Sequence, residues 1–129
     1  MSPFPIPITA IFTALLALML VGLSIRVVVL RAGKKINYLD GGDADLGRAI
    51  RVQGNFTEYV PIALALIGMA EWLGASHWSV YALGAALIVA RIVHAYGLYA
   101  AAFPGRVFGA SVSWLVIVVA AVVVLGKVA

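Results

Sequence analysis

The chain alternates long apolar runs with short polar breaks, and the length of each run predicts its structure. From Pro7 to Leu30 only Thr9, Thr13, Ser24 and Arg26 interrupt the apolar positions. A membrane-crossing helix needs about 20 such residues, so a first helix is expected over about 7–31. The longest polar stretch follows, RAGKKINYLDGGDAD, from Arg31 to Asp45. Its Gly41-Gly42 pair reads as a turn, and Asp43 or Asp45 is placed to cap the next helix. That helix, expected over 44–73, begins amphipathic and turns apolar after Phe56, with Pro61 inside it. In a membrane helix such a proline is tolerated, and it frees the carbonyl of Thr57.

Gly74 to His77 reads as a short turn. A third helix is expected over 78–101, interrupted by Arg91 and His94 and broken by Phe103-Pro104-Gly105. The last run, expected over 105–127, contains VIVVAAVVVL. In water that β-branched stretch argues for a strand. In lipid only helices and closed barrels satisfy the backbone, and runs of this length argue for helices. The fold class expected is all-α, an integral membrane four-helix bundle formed by residues 1–129 as one domain.

Composition agrees. Hydrophobic residues make up 64% and charged residues 11%, against the roughly 25% charged that a soluble domain carries. The formal charge of +4 then reads as topology and contact with anionic lipid rather than nucleic-acid binding. No basic segment precedes the first run and no small-residue cleavage site follows it, so a removable signal peptide is not expected. Cysteine is absent, which excludes disulfides, a protein thiolate and cysteine metal sites. With only His77 and His94 as imidazoles, no metal site is expected.

Basic residues set an expected orientation. Arg31, Lys34 and Lys35 lie between helices 1 and 2, and Arg106 between helices 3 and 4, whereas the helix 2–3 turn has no Lys or Arg. The positive-inside rule places the helix 1–2 loop in the cytoplasm and both termini outside, with Lys127 as a contrary charge. Arg26, about a turn inside the first helix, reads as a side chain snorkelling to the headgroups.

Three constellations carry candidate chemistry. Arg51, Asn55 and Glu58 share one narrow face of helix 2, with Arg48 at its edge. This mixture of guanidinium, amide and carboxylate suits a small zwitterionic peptide. It equally suits a polar network that fixes helix packing. Arg91 and His94 share a face of helix 3, either as ligand contacts or with Arg91 neutralising Glu58 or Glu71. Arg106 opens helix 4, either as a topology-setting charge or as a cation that lowers a thiol pKa from about 8.5. Tyr59 adjoins Glu58, and Tyr96 and Tyr99 read as belt residues near a span end.

The order of these features resembles the MAPEG family, the membrane-associated proteins of eicosanoid and glutathione metabolism. The match rests on RxxRxxxNxxEYxP from Arg48 to Pro61, with YLDGG before it and ARIVHAYG after it. The flavour is that of small bacterial inner-membrane members related to microsomal glutathione transferases. The resemblance implies a homotrimer with glutathione as co-substrate at the subunit interfaces and a small lipophilic second substrate arriving from the membrane lipid. It implies that Arg51, Asn55, Glu58 and Tyr59 bind glutathione, with Arg48 and Arg31 assisting. Arg91 and His94 match a helix-3 RxxH, and Arg106 matches the helix-4 arginine that holds the thiolate. Two positions depart from the pattern: Leu98 stands where a tyrosine is expected, and Val107 where the prostaglandin branch has a serine. The expected function is a glutathione-dependent transferase or peroxidase for lipophilic electrophiles. The alternative is a non-catalytic protein of the same fold that binds lipid or a thiol metabolite.

Overall fold

The computed structural model describes residues 5–129, so residues 1–4 of the Pro-rich lead lie outside it. Its elements are α1 (Pro7–Lys34), α2 (Ala44–Trp72), α3 (His77–Tyr99) and α4 (Phe103–Val128). The chain is an all-α integral membrane bundle. Helices α1, α3 and α4 are each long and apolar enough to cross a membrane. The polar first half of α2 sets it apart.

Cross-helix contacts fix the register. Thr9 meets Glu71 at one end of the α1–α2 pair, and Ser24 meets Gln53 towards the other, so α2 runs antiparallel to α1 along most of its length. Phe12 packs edge-on against Tyr81, and Arg26 lies 4.5 Å above the Tyr99 ring, so α1 and α3 run parallel. Tyr59–Trp114 and Gly74–Lys127 contacts make α2 and α4 parallel. The loop between α1 and α2, the end of α3 and the start of α4 therefore share one end of the bundle.

Local chemistry explains the helix boundaries. Lys35 closes α1 in the left-handed region at φ 55°. Asp43, not Asp45, caps α2: its carboxylate accepts the Leu46 N–H at 2.8 Å. Lys34 bonds the same carboxylate, which holds Asp43 below the usual carboxylate range. Asp45 instead pairs with Arg48 at 2.6 Å. Ser76 caps α3. The Phe103-Pro104-Gly105 segment forms the first turn of α4 instead of lying before it, because proline there lacks only an N–H that the helix would leave unbonded anyway.

The core runs along the bundle axis through Leu16, Val52, Ile67, Leu87 and Val116. Small residues bring the helices together. The Phe12 ring fills the space beside Gly84 where a Cβ would sit. Gly97 lies against the backbone of Gly105 and Arg106, and Gly109 against Ala90 and His94. Those two contacts press α3 onto α4 at the loop end.

At the far end, Glu71 is buried and accepts three hydrogen bonds from the start of α1: Ile8 N–H at 2.9 Å, Thr9 N–H at 2.8 Å and Thr9 Oγ1 at 2.6 Å. A carboxylate at a helix N-terminus satisfies unbonded N–H groups and favours the helix dipole. Glu71 is thus a cap for α1 and not a counter-ion for Arg91.

Candidate functional site

At the loop end, α2, α3 and α4 enclose a cavity of about 300 Å³. Arg51, Asn55 and Tyr59 line it from α2, His94 and Leu98 from α3, and Phe103, Arg106, Val107, Ala110, Ser111 and Trp114 from α4. The α2 residues are four apart and so fall on one face. The α4 residues recur at three and four, which is again one helical face. The close Gly97–Gly105 and Gly109–His94 approaches bring Arg106 beside His94.

Each polar group has a defined state. Arg51 makes a two-pronged pair with Glu58, Nη1 to Oε1 at 3.1 Å and Nη2 to Oε2 at 3.0 Å. Both side chains remain about half exposed, at 53% and 46%. Asn55 is buried, and its Oδ1 accepts from Arg91 Nη1 at 2.7 Å. Tyr59 packs edge-on against Trp114 at 6.2 Å. Among the described residues, His94 and Arg106 have no hydrogen-bond partner for their side chains, and Arg106 forms no ion pair. A cation free of carboxylates at a cavity wall is suited to an anionic ligand.

The remaining expected residues lie elsewhere. Arg48 pairs with Asp45 and lines a neighbouring cavity of about 210 Å³ that shares Leu98, Phe103 and Arg106 with the first. Arg31 donates to the Leu39 carbonyl at 2.7 Å in the loop, away from the cavity. Glu58 reaches the site only through Arg51. Arg91 is 2% exposed and sits behind the wall, bonded to Asn55 and to the Gly109 carbonyl. It neutralises neither Glu58 nor Glu71, whose carboxylates are already engaged by Arg51 and by α1. Arg26 stacks on Tyr99, neither of them lining the cavity, and Tyr96 is exposed.

Phe103, Ser111 and Trp114 line the cavity without having been anticipated. The signal available for them was the spacing of four, four and three that runs along α4 from Phe103 through Val107 and Ser111 to Trp114.

Comparison with known proteins bears on this arrangement. The model of the MAPEG family matches residues 9–126, nearly the whole chain. The chain belongs to the MAPEG family. Among curated proteins it is 39% identical over 107 residues to "Inner membrane protein YecN" of Escherichia coli strain K12, covering 83% of this chain and 82% of that protein. The protein of the same name from Escherichia coli O6:H1 matches to the same extent. This MAPEG chain carries the helix-2 motif on the cavity wall, with Arg51, Asn55 and Tyr59 facing in and Glu58 held by Arg51.

Proposed function

We propose that the cavity binds glutathione and presents its thiolate to lipophilic electrophiles, making the protein a membrane glutathione transferase or peroxidase. The observation that carries this reading is the convergence of Arg51, Asn55, Tyr59, His94 and Arg106 on one cavity, with Arg106 uncommitted. Its volume falls at the lower end of ligand-sized pockets, about 300–1,000 Å³.

In this reading Arg51 and Glu58 exchange their mutual bonds for the carboxylates and amine of the tripeptide. Arg106 faces the sulfur and favours its ionised form. His94 supplies a second polar contact. Phe103 and Trp114 form the apolar side of the cavity, against which a lipophilic acceptor packs. The thiolate attacks the electrophilic carbon, and the new carbon–sulfur bond forms as the leaving group departs. In the peroxidase version it attacks a hydroperoxide oxygen, the O–O bond breaks, the alkoxide takes a proton from water and leaves as the alcohol, and the glutathione sulfenic acid condenses with a second glutathione to give the disulfide and water.

The half-exposed Arg51–Glu58 pair lies on a helix that enters lipid, where unshielded charge is costly. Assembly into a homotrimer, with α2 faces covered by neighbouring copies, removes that cost and completes each site at a subunit boundary. The named relatives and the basic loop favour a bacterial inner membrane, with the α1–α2 loop in the cytoplasm and the termini in the periplasm.

A second reading has its own observation. Leu98 and Val107, which stand in place of hydroxyl-bearing residues, both line the cavity. A pocket without those hydroxyls suits a protein that binds a lipid or a thiol metabolite without transforming it. Purified protein in detergent separates the readings: glutathione binding is measured by calorimetry, and turnover by conjugation of a reactive chloroarene. Binding with turnover supports the enzyme, and binding alone supports the second reading. No binding at millimolar glutathione contradicts both the enzyme and a glutathione site.

A further inference from the structure

Arg91 lies deep in the bundle and is almost wholly buried. A guanidinium stays charged in proteins, and at such depth it ordinarily pairs with a carboxylate. Here the acidic residues of α2 are committed elsewhere: Asp45 to Arg48, Glu58 to Arg51 and Glu71 to the start of α1. Arg91 instead has two neutral partners, the Asn55 amide oxygen at 2.7 Å and the Gly109 carbonyl at 3.3 Å, and its Nε has none. The Gly109 carbonyl also accepts from Ser113 at 2.8 Å, so the cluster ties α2, α3 and α4 together.

One feature of this cluster does not serve packing. An aspartate at position 55 would have the same size and would turn this hydrogen bond into an ion pair, with both partners charged. Asparagine differs in two respects. With its oxygen taken by Arg91, its amide nitrogen is left as a donor, and Asn55 lines the cavity. The positive charge behind the wall also stays unneutralised.

We infer that Arg91 is a positioning residue for the ligand: it orients the Asn55 amide so that nitrogen faces the cavity, and it keeps the inner wall positive towards an anionic or carbonyl group. The inference rests on the reading of the cavity as a glutathione site. The other charged and titratable groups around it are Arg51, Glu58 and Tyr59 from α2, His94 from α3 and Arg106 from α4. Glu58 is spanned by Arg51, so the balance at the wall is cationic.

The test uses full-length protein in detergent, with Asn55→Asp, Arg91→Lys and Arg91→Met, read by thermal melting without ligand and by glutathione calorimetry. Asn55→Asp is expected to melt above wild type, because the buried cation gains a carboxylate, yet to bind glutathione about tenfold more weakly or worse. Arg91→Lys keeps the charge without the fork and is expected to bind better than Arg91→Met. A merely structural network predicts the same gain in stability without the loss of binding: Asn55→Asp would be more stable and bind as wild type does. That outcome overturns the inference, as does Asn55→Asp melting below wild type. If wild type itself binds no glutathione, the glutathione reading falls. The ligand-free melting order of wild type and Asn55→Asp then decides whether Arg91 is unneutralised.

Discussion

Gly97 of α3 lies against the backbone of Gly105 in the first turn of α4, so close that a side chain at Gly97 would overlap that backbone and a Cβ at Gly105 would sit only 3.1 Å from the Gly97 Cα. This contact sets where Arg106 emerges, one residue later, beside His94. Gly97→Ala would force α4 outward or distort the turn. Overpacking of this kind costs about 1–3 kcal/mol. The expected outcome is a lower melting temperature together with loss of the Arg106 contribution to ligand binding. A variant that melts and binds as wild type would show that the close approach does not position the arginine.

Glu71 offers the converse case, a buried charge remote from the cavity. Its three hydrogen bonds hold the start of α1. Glu71→Ala leaves two backbone N–H groups and a hydroxyl without partners, each costing about 1–3 kcal/mol when buried. The variant should lose much of its thermal stability while the surviving folded fraction binds ligand with unchanged affinity. Calorimetry normalised to folded protein checks this.

The Arg51–Glu58 pair is half exposed, and pairs of that kind contribute about 0–1 kcal/mol to stability. Glu58→Gln is therefore expected to melt within a few degrees of wild type. Its ligand affinity should fall about tenfold or more, matching the loss of a charged hydrogen bond worth about 1.5–3 kcal/mol. Melting and binding measured on the same preparation separate the two effects.

The loop carries a pH dependence. Lys34 and the Leu46 N–H hold the Asp43 carboxyl below its usual value. A carboxyl depressed in the folded state stabilises the fold above its unfolded pKa, about 3.9, and that contribution is lost as pH falls through the lower folded value. Asp43→Asn should be less stable than wild type at neutral pH, and the difference should shrink in acid. Melting temperatures from pH 7 downwards check the sign.

Much of the fold was legible in the sequence because span length and backbone satisfaction in lipid leave few alternatives. The α3–α4 boundary was not, since Pro104 can either end one helix or open the next. The site was legible in part. Helical spacing put Arg51 and Asn55 on one face, but spacing cannot say which charges partner which. Glu58 turned back to Arg51 seven residues away, Glu71 turned to α1, and Arg91 was left with neutral partners. Trp114 and Ser111 were hidden for another reason. After Arg106 the polar positions of α4 are Ser111, Ser113 and, at its far end, Lys127, and the two serines stand two residues apart on opposite faces, so no single polar face marks an inward direction.

The central claim is that Arg106 holds a glutathione thiolate in this cavity. Ultraviolet difference absorbance on mixing glutathione with the purified protein at neutral pH tests it most directly. The account predicts a thiolate band with wild type, and glutathione binding without that band in Arg106→Ala. Wild type without the band, or Arg106→Ala with a band of the same size, would contradict it.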